Sequence, residues 1–433
     1  MAAKLSSILF LTGAAGLYFL TTKKKSSRQV DEECIYLDFN GTTPIYEDVV
    51  DAMMPFLGTH FGNPSSSHKF GEAPRIAIDV ARRQILQLLG SSEPSNSIWF
   101  TGCGTESDNL AIQLALQSNS SLFPKKKHIV SSNVEHPAVD LYLRYLEKEG
   151  IASVTYVPVG TDGRLNAQDM IDALTEETIL VTLMLANNES GALQPVKTLA
   201  EECRRRGILM HTDAAQATGK VSCEVSDLGF PDMITIVGHK LGAPKGIAAL
   251  YVRPGCLEEH DRKIDHNHGV MLIGGGQEFG RRGGTENTPY IVGLGHAARK
   301  AHENLARNAA YMEAMRSRLL LKLSDRLGTD RLLVNGPRNA NLRLPNTLSI
   351  GFKNVHSGVL LAGIGNLVAA SAGAACHSSG GVSSILTAMQ IPMEYAQGTL
   401  RLSLGPTTQA SEIDKAAIII ADAVEQQWDT TNA

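Results

Sequence analysis

Between Ile98 and Val252, short apolar runs alternate with segments of helical spacing, and that alternation restricts the chain to one class of architecture. Ile98-Trp99-Phe100, His128 to Ser132, Val154 to Val159, Ile179 to Leu185, Ile208-Leu209-Met210, Met233 to Val237 and Ile247 to Val252 read as strands. Between them, the spacing of Leu110, Ala111, Leu114 and Ala115 predicts a helix, as do Pro137 to Lys148, Ala167 to Leu174, and Pro195 to Arg206 closed by Gly207. Strands that take turns with helices build a mainly parallel sheet, so the fold class is α/β. In such sheets ligands lie beyond the carboxyl ends of the strands. Glu135-His136, Asn187-Asn188-Glu189, His211-Thr212-Asp213 and His239-Lys240 all fall there.

The chain has 433 residues, 43% hydrophobic and 19% charged, which is enough for a large core and favours two domains over one. A formal charge of −4, with no aromatic and basic platform, excludes nucleic acid as an expected partner and points to small metabolites. Cys34, Cys103, Cys203, Cys223, Cys256 and Cys376 are widely separated with no CxxC, which fits neither a zinc ribbon nor a disulfide scaffold. His260, His266 and His268 are irregularly spaced and lack companion cysteines, so no metal is expected.

Four segments are expected. Residues 1–30 hold an apolar run, Leu5 to Leu20, followed by Lys23-Lys24-Lys25 and Arg28. The run is shorter than the ~20 residues that span a bilayer, and no clear cleavage site follows it. Positive charge on its C-terminal side predicts an N-terminal membrane anchor with the catalytic domain in the cytosol; the alternative is a presequence cleaved in mitochondria or another organelle. Residues 31–50 form an N-terminal segment packing with a small domain, and residues 51–296 a large domain. In the latter, Ala73 to Leu89 reads as an amphipathic helix. Residues 297–433 form a smaller α+β domain, with a long helix over Ala297 to Leu321, a strand over Thr347 to Phe352 and a closing helix over Ser411 to Gln426.

The chemistry is sought where two strand ends meet. An apolar run delivers Asp213, and a buried carboxylate needs a cationic partner; Lys240, just past Met233 to Val237, supplies an amine to the same crevice. Pyridoxal phosphate uses such a pair, a lysine for its Schiff base and an acid that keeps the pyridine nitrogen protonated. Exposed Asp and Lys pairs also occur without any function, so the remaining motifs decide. Cys103-Gly104-Thr105-Glu106 turns a strand into a helix start, whose free amides and Thr105 hydroxyl can hold a phosphate. Arg401 is suited to clamp a carboxylate. Cys376, in the small-residue loop Ser371 to Ser378, carries a reachable thiol.

From Tyr36 to about Thr408 these motifs, in this order, resemble the class V aminotransferase-like cysteine desulfurases and selenocysteine lyases. The resemblance rests on Phe61-Gly62-Asn63-Pro64-Ser65-Ser66, Cys103-Gly104-Thr105-Glu106-Ser107, Val134-Glu135-His136-Pro137 and Asn187-Asn188-Glu189. It rests equally on Asp213-Ala214-Ala215-Gln216, Gly238-His239-Lys240, Arg282-Gly283-Gly284-Thr285 and Ala375-Cys376. It implies a pyridoxal phosphate-dependent transferase of fold type I. Lys240 would bind the cofactor covalently, Asp213 face the ring nitrogen, His136 stack on the ring and Gln216 approach the ring hydroxyl. Gly104, Thr105 and His239 would hold the phosphate. Thr285 would reach the phosphate of a neighbouring subunit, which implies a two-fold homodimer. Asn188 and Arg401 would grip the substrate carboxylate, with Asn40 nearby, and Cys376 would meet the departing sulfur or selenium before an acceptor protein takes it.

Two features depart from the common desulfurase pattern. Val237 stands where many desulfurases carry Ser or Thr, and Cys376-His377-Ser378 where many carry Cys-Thr-Ser. Both look like the animal-type selenocysteine lyases, so the expected substrate leans to L-selenocysteine, giving L-alanine. L-cysteine, with persulfide sulfur passed to iron-sulfur cluster or thio-cofactor assembly, is the alternative. A non-catalytic scaffold is remoter, because Lys240, Asp213, His136, Cys376 and Arg401 are all intact.

Overall fold

The computed structural model describes residues 34–120, 127–257, 271–373 and 381–432. The run Leu5 to Leu20, the histidines at 260, 266 and 268, and Cys376-His377-Ser378 lie outside the described residues. Among those described, no helix is long and apolar enough to cross a membrane, and no cluster of three or more metal-ligating side chains occurs.

The strands in chain order are β1 (Ile35–Tyr36), β2 (Ile98–Thr101), β3 (His128–Ser132), β4 (Ser153–Val157), β5 (Thr178–Thr182), β6 (Leu209–Asp213), β7 (Met233–Val237) and β8 (Ala248–Val252). They continue with β9 (Leu332–Asn335), β10 (Thr347–Phe352), β11 (Val368–Ala369), β12 (Ser371–Ala372) and β13 (Thr399–Ser403). A seven-stranded sheet has the order β2-β8-β7-β6-β5-β3-β4. Its pairs are parallel from β4 to β7, whereas β8 runs antiparallel to both β7 and β2. The reversal has a local cause: only the single turn Gly238–Lys240 and a short loop, and no α-helix, separate β7 from β8, and without a crossover the returning strand must run backwards. β2, β3, β5, β7 and β8 are buried at every position, which is why most of them are rich in apolar residues, while His128, Ser131 and Ser132 of β3 are buried with hydrogen-bond partners.

A second sheet, β12-β13-β10-β9, is antiparallel, and β1 pairs with β11 beside it. Leu348, Ile350, Leu400 and Leu402 of this sheet pack against Ile413, Ile420 and Val424 of the closing helix, which runs over Ala410–Asn432. Ile35 and Leu37 belong to the same cluster, while Val49 already belongs to the core under the large sheet.

Two helices are longer than their spacing predicts. The one expected from Ala73 starts at Lys69 and carries Pro74 as its sixth residue, past the N–H groups that a helix start leaves unpaired, so the Phe70 carbonyl goes without its usual intrahelical donor. The one expected from Ala297 runs from Thr288 to Leu327, so residue 297 falls inside a continuous helix. Its first half, with Ile291, Leu294 and Ala298, packs into the large core. Its second half, with Leu319, Leu323 and Leu327, packs into the small one.

The loop before that helix is held by a buried ion pair. Arg82 donates to both carboxylate oxygens of Glu278, at 2.9 and 2.7 Å, and the Phe100 N–H donates to the same carboxylate at 2.8 Å. Both charged residues are only 5% exposed. Glu278 and Phe279 have φ of 48° and 59°, a left-handed conformation that side chains disfavour unless other contacts hold it. Removing one partner of a buried pair leaves the other charge stranded. Glu278→Ala should therefore destabilise the fold by about 3–5 kcal/mol in urea denaturation. A midpoint no lower than that of Arg205→Ala, which breaks the exposed pair to Glu202, would show that the latch is not what holds the loop.

Candidate active site

Asp213 is the last residue of β6, and the parallel register sets it opposite Thr235 of β7. β7 ends two residues later, and one tight turn, Gly238–Lys240, brings Lys240 round beside it. The two strand ends open into a cleft of about 310 Å³. Asn40, Gly104, Thr105, His136 and Asn188 line it, together with Asp213, Gln216, His239, Lys240 and Arg401. Ten of the twelve expected site residues thus meet in one place. Thr285 does not line this cleft; it stands exposed on the loop before the long helix. Cys376 lies outside the described residues. The residues on either side of its segment are anchored to the cleft wall: the Ser371 hydroxyl accepts from Arg401 at 3.0 Å, and Ser383 donates to Glu189 at 2.6 Å.

Lys240 Nζ donates to the carbonyls of Asn40 and, at 2.8 Å, Gly41. Burial lowers its pKa to about 8, with Arg401 adding to the effect and Asp38 and Asp213 opposing it. Asp213 accepts the Ala215 N–H at 2.8 Å, yet burial still raises its pKa. Two more acids stand nearby. Burial raises Glu135 to about 8 although Ser132 and the Met184 N–H both donate to it. Asp108 is raised well above the usual range, by burial first and Asp213 second, and its Oδ1 has no hydrogen-bond partner. His211 lies 3.7 Å from that oxygen, but its ring is held between Thr182 and Thr235, and burial lowers it to about 3, so it brings no charge.

His136 caps the Pro137–Lys148 helix by accepting the Ala138 N–H on Nδ1 at 3.1 Å, which leaves the proton of the neutral ring on Nε2. Burial lowers its pKa. Gly104 opens the Gly104–Ser120 helix, and a Cβ there would lie 2.6 Å from Val237 Cγ2, so only glycine lets this helix start sit against the end of β7. Arg401 is fixed from behind. It donates to Asp38 at 2.7 Å and to the Asn188 carbonyl at 3.2 Å, while its Nε is buried without a partner.

The class-V aminotransferase family matches residues 35–416. The chain belongs to that family. A cysteine desulfurase of Nostoc sp. is 40% identical over 90% of this chain and 93% of its own length. Among solved structures, a NifS-like protein is 31% identical with a TM-score of 0.79, covering 90% of this chain and 99% of that one. The structure of SspA in complex with cysteine is 31% identical with a TM-score of 0.70, covering 87% and 100%.

A class-V aminotransferase of this group is a pyridoxal phosphate enzyme of fold type I, and the cleft fits that cofactor. Asp213 and Asp108 line the cleft, with Glu135 buried near Asp213, and a protonated ring nitrogen would bring positive charge to that acidic wall. The glycine-opened helix start offers free amides to a phosphate. His239 flanks it, bonded to Thr42 Oγ1 at 3.1 Å and lowered by burial to about 4, and is therefore neutral.

Asn40, expected near the substrate carboxylate, has its carboxamide committed elsewhere. It donates to Thr347 Oγ1 and the Asn188 carbonyl and accepts from Asn346 and Lys220. Asp38, Asp108 and Lys220 escaped the sequence reading. A second acid two residues after Glu106, at the start of the helix, and a lysine among Thr218, Gly219 and Val221 were the available signals.

The shifted Lys240 makes a prediction about cofactor uptake. Only the unprotonated amine reacts with the cofactor aldehyde, and a lowered pKa makes that form available at lower pH. Uptake of pyridoxal phosphate by the apoprotein should quicken with pH and level off above about 8, well below the ~10.4 of an ordinary lysine. Stopped-flow absorbance measures it; a rate still climbing steeply towards about pH 10 would contradict the buried amine.

Proposed function

We propose that this chain is a cysteine desulfurase, which moves the sulfur of L-cysteine onto Cys376 and releases L-alanine. The observation that carries the reading is the meeting of Lys240, Asp213 and Arg401 in one cleft of a chain whose relatives bear that name. When bound, pyridoxal phosphate supplies the electron sink for the bond broken at the substrate Cα. Lys240 would hold it, with Asp213 at its ring nitrogen, His136 against its ring and Gln216 at its ring oxygen. Gly104, Thr105 and His239 would take its phosphate.

The protein's own groups do the rest. Arg401, with its buried Nε unpaired, would pair with the substrate carboxylate beside Asn188. Lys240 Nζ, with its pKa near 8, is matched to move the Cα proton near neutral pH. The Cys376 thiolate attacks the substrate sulfur; a sulfur–sulfur bond forms as the carbon–sulfur bond breaks, and the freed electron pair stays on carbon and takes a proton. The persulfide left on Cys376 awaits a thiol or an acceptor protein.

The lean towards selenocysteine gives way to the cysteine alternative. The relatives compared bear the name cysteine desulfurase. With cysteine and a thiol reductant, the holoenzyme should yield alanine and sulfide in equal amounts. Lys240→Ala and Cys376→Ala should each lower kcat/KM by at least about 100-fold. A wild type that is markedly more efficient on selenocysteine in the same assay would overturn the substrate assignment.

The assembly we propose is a two-fold homodimer. Thr285 stands exposed outside its own cleft, and Leu272, Ile273 and Phe279 of the same loop are exposed apolar side chains in want of cover. Sedimentation should give twice the 46.5 kDa chain mass, and a monomer that retains full activity would refute the shared site.

A further inference from the structure

Behind Gln216 lies a second lysine that the chemistry above leaves unused. Lys220 follows the turn that carries Gln216 and is 5% exposed, so its ammonium depends on protein partners. Its Nζ donates to Gln216 Oε1 at 3.0 Å and to Asn40 Oδ1 at 3.3 Å. A carboxamide has one accepting and one donating end, and turning it over exchanges them; an ammonium only donates. Both amides must therefore turn their oxygens to Lys220. Gln216 then points its NH2 the other way, where one N–H goes to the Asn40 carbonyl at 3.0 Å and the second is left for the cleft that Gln216 lines. Asn40 points its own NH2 at Thr347 Oγ1, 2.8 Å away, and at the Asn188 carbonyl, 3.2 Å away. That same carbonyl holds Arg401.

We propose that Lys220, together with the Asn346 amide at Asn40 and the Asn40 carbonyl at Gln216, is a positioning residue that fixes the facing of both carboxamides, so that Gln216 is a donor to the ring oxygen of pyridoxal phosphate and Asn40 a donor to the Asn188 backbone behind Arg401. The proposal rests on the reading of the cleft given above. The ring oxygen beside the attachment carbon is electron-rich and needs a donor, and a Gln216 turned over would set oxygen against oxygen. Burial pulls Lys220 down to about 7, with Lys240 and Arg401 adding and Cys223 opposing, and the two amide oxygens favour its protonated form.

The test compares wild-type holoenzyme with Lys220→Met, Lys220→Arg, Gln216→Leu and the Lys220→Met/Gln216→Leu double variant. It reads the cofactor absorption maximum and the pyridoxal phosphate dissociation constant on reconstitution, with melting temperature recorded alongside. Lys220→Met should shift the absorption maximum and weaken cofactor binding about tenfold, the loss expected for one hydrogen bond. Lys220→Arg, still a donor only, should keep the wild-type spectrum. In the Gln216→Leu background, Lys220→Met should add no further spectral shift, because the residue acts through Gln216. Lys220→Met with wild-type spectrum and affinity, or spectral shifts that add in the double variant, would overturn the inference alone. A wild type that takes up no pyridoxal phosphate would overturn the reading of the cleft itself.

Discussion

One buried side chain joins everything that meets at the cleft. Asn40 is 1% exposed and binds in every direction open to it. Its N–H goes to Ser403 of β13, its NH2 to Thr347 of β10 and to the Asn188 backbone, and its Oδ1 takes Asn346 and Lys220. Its carbonyl takes Gln216 and Lys240. The stretch between β1 and the first helix is thus the seam between the small sheet and the carboxyl ends of β5, β6 and β7. Inside a protein such a network holds only while each member is satisfied, since an orphaned donor or acceptor costs about 1–3 kcal/mol. The positions of Lys240, Gln216 and Arg401 are therefore set together rather than one by one.

The same closure explains the charges. Water is kept away from Asp213, Asp108 and Glu135, and each is shifted towards its neutral form. Lys240 is shifted towards its own neutral form by the same burial. Acids and amine thus both lean to the uncharged state until a ligand brings opposite charge among them. A cofactor with a cationic ring nitrogen and an anionic phosphate brings both signs at once, to opposite ends of one cleft.

Much of this was legible before any coordinates. Strands buried on both sides announce themselves as apolar runs, and the rule that parallel sheets bind ligands at their carboxyl ends led to Asp213 and Lys240. What stayed hidden depends on partners distant in the chain. The Arg82 and Glu278 pair spans 196 residues, and neither sequence neighbourhood hints at the other. Lys220 looks like any lysine at the end of a turn until Asn40 is seen against it. The start of the long helix at Thr288 was missed because its first turns pack through Gly293 and Gly295, which read as loop although their missing Cβ atoms admit Met53 and Ala81.

The helix from Thr288 to Leu327 has 40 residues, about 60 Å of unbroken backbone at 1.5 Å per residue. Because its two halves are embedded in different cores, it acts as a strut: swinging one core against the other would have to bend a continuous ladder of hydrogen bonds. Elastic stiffness of that kind directs compliance elsewhere, into the loops that rim the cleft. It also makes the two cores mechanical dependants of one another, so that loosening either is felt along the full length of the rod by the other.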